Sequence, residues 1–143
     1  MSDERAVQEV LARYARATDK RDGVAQGGLF TDDAVVRILA GGKPATEPMI
    51  GSAGVRYAVE NFMAPHPEGG ASHHVTSDHI IEVDGDRAHL DAQFVVFEVR
   101  PDVVRLAESG YYDTDLARID GGWKIVRHDV LLDSPIDLTA AAS

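Results

Sequence analysis

The sequence contains no cysteine, and this absence excludes several kinds of site. Without thiols there is no disulfide framework, no thiolate nucleophile and no zinc–cysteine centre. Basic residues are also scarce, since 14 Lys and Arg stand against 24 Asp and Glu, which gives a net charge of -10. Nucleic acids and anionic membrane surfaces normally attract a basic patch, so we expect neither as a partner.

Long apolar runs are missing as well. None approaches the roughly 20 residues that a membrane-spanning helix needs, and Met1–Arg5 holds no apolar signal core. We therefore expect a cytoplasmic protein. A chain of 143 residues, 44% of them hydrophobic, suits one packed core. We expect a single domain over residues 1–143, with its core at 3–134 and a tail at 135–143.

Three stretches of the first half are predicted to be helical. Residues 3–21 predict an amphipathic helix, because apolar side chains recur every three or four positions. Residues 24–30 predict a short helical turn, and 52–62 predict a further helix that the prolines beyond it stop. Between them, residues 34–39 are rich in β-formers and predict a short strand after a turn at 31–33.

The second half is typical of β-structure. Four β-type runs, at 72–83, 87–99, 107–119 and 123–132, are separated by short turns, two of them with Asp-Gly. Asp-Gly between such runs is a strong hairpin signal. Helices followed by an antiparallel meander predict an α+β fold in which the helices cover one face of a curved sheet.

Strand alternation predicts which side chains face the helices. In the first long strand His73 shares its parity with Val75, Ile81 and Val83, so His73 points inward and His74 outward if the strand has no bulge. In the second strand Leu90 and Phe94 belong to the apolar face. In the last strand the parity leaves open whether Arg127 or His128 faces inward.

Asp19 and His73 are the candidate catalytic pair. Asp19 lies on the flank of the apolar stripe near the end of the first helix, where a half-buried carboxylate needs a donor. His73 would be that donor, and its other ring nitrogen would be a general base. Tyr14 and Tyr112 would donate hydrogen bonds to a substrate oxygen, with His128 as a further contact. The simpler alternative is a solvated aspartate, a structural histidine and a core tyrosine.

Around this pair we expect an apolar cavity for a hydrophobic small molecule, lined by Val36, Phe62, Leu90 and Phe94. The six histidines form no recognised metal-ligating motif, and no phosphate loop or nucleophile elbow is present. We therefore expect no metal and no cofactor.

Several blocks in order resemble SnoaL-like proteins of the nuclear-transport-factor-2-like superfamily. They begin with Tyr14 to Asp22 and Leu29 to Ala34, and continue with His73 to Ser77, Val83 to Ala88, Gly110 to Asp113 and Asp120 to Ile125. The resemblance covers roughly residues 5–133 and implies a cone: a curved antiparallel sheet wrapped around helices, with a deep apolar pocket. The superfamily includes dehydratases, a dehydrochlorinase, isomerases, polyketide cyclases and non-catalytic binders.

In the dehydratase and dehydrochlorinase branch, an aspartate after the first helix and a histidine opening the first long strand form the catalytic dyad. The resemblance places these roles on Asp19 and His73, and a pocket polar group on Tyr14. His128 stands where an arginine often assists the leaving group, and Val36 where a pocket aromatic can sit. Both departures imply different substrate contacts.

The resulting hypothesis is a cofactor-independent lyase or isomerase, similar to a dehydratase or cyclase, acting on a hydrophobic, hydroxylated small molecule. The alternatives are a non-catalytic binding or accessory protein with the same pocket, and an interaction module whose open sheet face forms a homo-oligomer. We expect a dimer or trimer in either case.

Overall fold

A computed structural model describes residues 1–133 of the protein. Its elements in chain order are α1 (Asp3–Asp19), α2 (Gly23–Gly27), β1 (Phe30–Ala40), β2 (Lys43–Pro44), β3 (Met49–Ile50), α3 (Gly51–Phe62), β4 (Ala71–Asp84), β5 (Arg87–Arg100), β6 (Val103–Ile119) and β7 (Gly122–Leu132). The tail expected at 135–143 lies outside the described residues, so the single-domain boundary stays a prediction. No helix within residues 1–133 is long and apolar enough to cross a membrane.

The strands form one sheet in the order β2-β1-β7-β6-β5-β4, with β3 paired to β1. β4 to β7 are the antiparallel meander that the turns predict. β1 pairs with β7 in parallel, so the sheet is mixed. β1 begins at Phe30, so residues 31–33 belong to this strand and the expected turn there is wrong. The predicted α+β class is confirmed, because the helices lie against one face of a curved sheet.

α1 begins and ends as its sequence dictates. The Ser2 side chain accepts a hydrogen bond from the Arg5 backbone N–H at 3.1 Å and caps the first turn. The apolar stripe of α1 packs into the core: Val7, Val10, Leu11 and Tyr14 are buried. Beyond the helix, Arg21 adopts a positive φ of 56° and donates to the Thr18 carbonyl at 2.8 Å, satisfying a C-terminal acceptor.

β4 contains a β-bulge that reverses its alternation. Ser77 pairs with Gln93 whereas Ile80 pairs with Asp91, so two residues of β4 stand opposite one of β5. Asp78, within the bulge, has a positive φ of 52°, a conformation that aspartate tolerates better than most residues. Ile81 and Val83 pack against the core, as expected. In the part of β4 before the bulge, the extra residue exchanges the inward-facing and outward-facing positions.

Candidate functional site

The bulge brings His74, rather than His73, to the inner face of the sheet. Before the bulge, Ser72 and His74 face inward, and His73 and Val75 are exposed. The expected pairing of Asp19 with His73 is therefore wrong. Counting parity across an uninterrupted strand selected the wrong histidine, because one additional residue exchanges the two faces.

Asp19 and His74 form a close, anchored pair. The Nδ1 of His74 lies 2.6 Å from the Oδ1 of Asp19. The same carboxylate accepts hydrogen bonds from the His74 backbone N–H at 3.0 and 3.1 Å and from the Ser72 hydroxyl at 3.1 Å. Since an ionised carboxylate only accepts, Nδ1 carries the proton, and the ring is held in one tautomer.

The electrostatics of Asp19 are set by these donors. Asp19 is the last residue of α1, where the negative end of the helix dipole disfavours an anion. Burial opposes its ionisation, but the side-chain and backbone hydrogen bonds from His74, its charge and the Ser72 hydroxyl together lower the pKa of the Asp19 carboxyl below its ordinary value. His66 Nε2 also donates to the Asp19 backbone carbonyl at 2.7 Å, which fixes the helix end.

The second ring nitrogen of His74 is available for chemistry. Its Nε2 has no hydrogen-bond partner among residues 1–133, and 13% of the side chain is exposed. An imidazole that donates through one nitrogen to a carboxylate and leaves the other unoccupied is arranged as a general base.

Tyr14 and Tyr112 lie in the interior as predicted, inside an aromatic cluster. Their rings meet edge to face with centroids 5.7 Å apart, and Phe94 stacks on Tyr112 at 4.3 Å. Neither hydroxyl has a hydrogen-bond partner within the described chain, and neither is among its fully buried unpartnered atoms. Burial raises the pKa of both phenols, with Glu108 adding to the rise, so both hydroxyls are proton donors at neutral pH.

His128, whose orientation the alternation left open, faces inward. β7 also shifts register between Arg127 and Ile125, so His128 is fully buried and Arg127 lies on the outer face. The Nδ1 of His128 contacts the Thr114 hydroxyl at 2.8 Å, while its Nε2 is buried without a partner among the described residues. Burial lowers the pKa of His128 to about 4, so the ring is neutral.

Three of the four apolar residues predicted to line a cavity are in the interior. Val36, Leu90 and Phe94 are buried on the inner face of the sheet. Phe62 is not: it ends α3 and is 76% exposed, with its ring against Tyr57. Its place at the last turn of the helix carries it past the core, so the expectation that Phe62 lines the cavity is wrong.

A group of charged residues surrounds the Asp19–His74 pair, and the sequence reasoning missed it. Arg21 is half-buried and interacts electrostatically with Asp19, Glu98 and Glu108. Glu98 is paired with Arg100 and, at 2.7 Å, with Arg105. No local motif marks these residues. For the choice of His74 over His73 the sequence does hold two signals. Ser72 and His74 lie two positions apart on one face of β4, and Asp78, within β4, is a residue type that tolerates the left-handed backbone of a bulge.

The outer face of the sheet carries a second, separate polar cluster. Arg127 lies 2.5 Å from Asp113, 2.8 Å from Asp115 and 2.7 Å from Asp129. His89 contacts Asp115 at 2.7 Å, and ligand atoms of His89, Asp91 and Asp113 lie within 4.8 Å of one another. This trio has the donor types for a divalent cation, but Arg127 already balances Asp113.

Comparison with known proteins identifies the family. The sequence profile of the SnoaL-like domain matches residues 1–129. No curated protein matches the chain significantly.

Solved structures share the fold. An NTF2-like protein with a cystatin-like fold from Novosphingobium aromaticivorans has a TM-score of 0.75 and 21% identity over 91% of this chain and 81% of that one. ActVI-ORFA from Streptomyces coelicolor has a TM-score of 0.78 and 20% identity over 90% and 96%. A Catenulispora acidiphila protein in complex with S-DNPA has a TM-score of 0.76 and 22% identity over 97% and 96%. The profile match spans most of the sequence, and the chain therefore belongs to the SnoaL-like domain family.

Proposed function

We propose that the protein is an acid–base enzyme that removes a proton from carbon in a hydrophobic, hydroxylated small molecule, as a lyase or isomerase. The observation that carries this proposal is the 2.6 Å contact between His74 Nδ1 and Asp19, while His74 Nε2 has no partner among residues 1–133. In this proposal His74 is the general base and Asp19 orients it.

The pair suits proton abstraction for a physical reason. The Asp19 carboxylate keeps the proton on Nδ1, so the lone pair of Nε2 points away from Asp19 and toward an incoming C–H bond. When Nε2 takes a proton, the resulting imidazolium lies beside an anion and is stabilised. Ser72 and the His74 backbone N–H hold the carboxylate in place, so little reorganisation accompanies the transfer.

The inner face supplies complementary groups for the substrate. The Tyr14 and Tyr112 hydroxyls have no partner within residues 1–133 and are protonated, so they are suited to donate to a developing enolate oxygen. Val36, Leu90 and Phe94 would contact the apolar part of the molecule, and neutral His128 would contact a second oxygen. A Catenulispora acidiphila protein of the same fold has been solved in complex with S-DNPA.

The adjacent histidines provide a matched test. His74→Gln removes the base, and His73→Gln makes the same change on an exposed side chain one residue away. With the aldol adduct of benzaldehyde and acetone as the probe, elimination yields benzylideneacetone, which is followed by ultraviolet absorbance. We expect His74→Gln to lower kcat by roughly 10²–10⁴-fold and His73→Gln to leave it unchanged.

If His74→Gln and His73→Gln are equally active, His74 is not the general base. If a bound ligand stabilises the wild type and His74→Gln equally and neither converts it, the protein is a binding or accessory protein that uses the same interior without chemistry.

The exposed sheet face supports a proposal for assembly. Val75 and Tyr111, on the outer face of β4 and β6, are 47% and 50% exposed. Apolar side chains on an open sheet favour contact with a second copy, so we propose a homo-oligomer. Light scattering coupled to size exclusion measures the mass, and Tyr111→Asp should shift it toward the monomer.

A further inference from the structure

Glu108 occupies an inner-face position beside the Asp19–His74 pair. In the sheet register His74 pairs with Val96, and Val96 pairs with Glu108. The three residues form one row across β4, β5 and β6, and Glu108 has the parity of buried Gly110 and Tyr112. Neighbouring strands are about 4.8 Å apart, so the backbones of His74 and Glu108 are separated by about 10 Å.

This spacing would place the two side chains on either side of a small molecule bound over Val96. Each side chain extends from its strand toward the interior, so a substrate above Val96 would have the imidazole on one flank and the carboxyl on the other. The charge of His74 acts on Glu108 and opposes the rise in the pKa of its carboxyl.

The carboxyl of Glu108 is unusual in having no hydrogen-bond or ion-pair partner among residues 1–133. Glu98, two strand positions away on β5, is held by Arg100 and Arg105 instead. A half-buried carboxyl without a donor favours its protonated form. Burial raises the pKa of Glu108, the charge of Glu98 adds to the rise, and His74 and Arg21 oppose it. The other ionisable groups that interact with it are Tyr14 and Tyr112.

We propose that Glu108 is the proton donor to the departing oxygen, and that the substrate is a β-hydroxy carbonyl compound. The assignment rests on the proposed role of His74 as the base. His74 Nε2 removes the proton from the carbon next to the carbonyl, the carbon–carbon double bond forms, and the carbon–oxygen bond breaks. The proton of Glu108 passes to the leaving hydroxyl, which departs as water. The imidazolium then returns its proton to the Glu108 carboxylate through solvent.

Hydroxide is a poor leaving group, which is why elimination of water needs an acid as well as a base. Acetate leaves without a proton. The aldol adduct of benzaldehyde and acetone and its acetate ester therefore form a probe pair that differs only in the need for an acid, and both give benzylideneacetone.

The variants are Glu108→Gln and, as a matched control, Glu82→Gln on the exposed face of β4. We expect Glu108→Gln to lower kcat for the hydroxy probe by roughly 10²–10³-fold and to leave the acetate ester within about threefold of the wild type. Glu108→Asp, which keeps an acid, should recover part of the loss. His74→Gln should slow both probes, and Glu82→Gln neither.

The outcomes separate this assignment from the proposed function. Equal slowing of both probes by Glu108→Gln, or no slowing of the hydroxy probe, overturns the role of Glu108 while His74 stands as the base. Full activity of His74→Gln on both probes overturns the proposed function itself. If the wild type converts neither probe, the pKa of the Glu108 carboxyl is measured by carbon-13 NMR titration. A pKa at or below that of an ordinary glutamate overturns the assignment of Glu108 as the proton donor.

Discussion

Replacing Asp19 by asparagine tests the central contact of the site. The change keeps the size of the side chain but exchanges one acceptor oxygen for an NH₂ donor. An amide oxygen in the place of Oδ1 still accepts from the His74 Nδ1–H and the Ser72 hydroxyl, whereas the NH₂ group takes the place of Oδ2 and faces the His74 backbone N–H. The neutral amide no longer stabilises the imidazolium that forms when Nε2 takes a proton, so Nε2 becomes a weaker base.

The energetic cost follows from the loss of the carboxylate charge to which these groups donate. The carboxylate accepts from Ser72, the His74 backbone and the His74 ring at 2.6–3.1 Å, and its side chain is 18% exposed. A hydrogen bond to a charged group contributes about 1.5–3 kcal/mol. We expect Asp19→Asn to lower the free energy of unfolding by about that amount and kcat by roughly 10²–10⁴-fold.

The pH dependence gives a sharper check. Because the folded pKa of Asp19 is depressed, its contribution to stability is present above the unfolded value of about 3.9 and is lost as pH falls through the folded pKa. The stability difference between the wild type and Asp19→Asn should therefore shrink below about pH 4. Urea unfolding across pH measures it, with Asp102→Asn, an exposed residue, as the control. A difference that stays constant or grows on acidification would refute the reasoning.

Three further predictions concern other parts of the fold. Asp78→Gly should preserve or raise the stability, whereas Asp78→Val should lower it by roughly 1–2 kcal/mol, because a left-handed backbone is costly for a β-branched residue; urea unfolding of both variants compares them. Burial lowers the pKa of His128 to about 4. The free energy of unfolding should therefore fall by about 3 kcal/mol as pH drops from about 6.5 toward that value. In His128→Leu this part of the pH dependence should disappear, and an unchanged profile would contradict the assignment. Arg127→Gln leaves Asp113 without its arginine partner, while Asp115 keeps His89 and Asp129 keeps Arg37. It should therefore destabilise by roughly 1 kcal/mol at low salt and by less at high salt; a salt-independent loss would contradict this account.

Local patterns in the sequence predict most of the elements correctly. The long helix, the β4–β7 meander and the inward face of β5 depend on periodicity and on turn residues within a few positions of one another. Asp19 was correctly predicted to need a donor, because a carboxylate at the flank of an apolar stripe is partly buried wherever the helix packs. The expectation of a SnoaL-like fold also holds.

The partners across the site depend on the tertiary structure. One left-handed residue, Asp78, exchanges the faces of β4 and selects His74 over His73. A register shift in β7 likewise turns His128 inward and Arg127 outward. No sequence pattern marks Glu108, and only the cross-strand register places it in one row with His74. By itself, the sequence determined the long helices, most of the strands and that Asp19 needs a donor. The structure decided which histidine that donor is. A single extra residue in β4 exchanges the inward and outward faces of the residues before it, and alternation counted along the sequence does not show that residue.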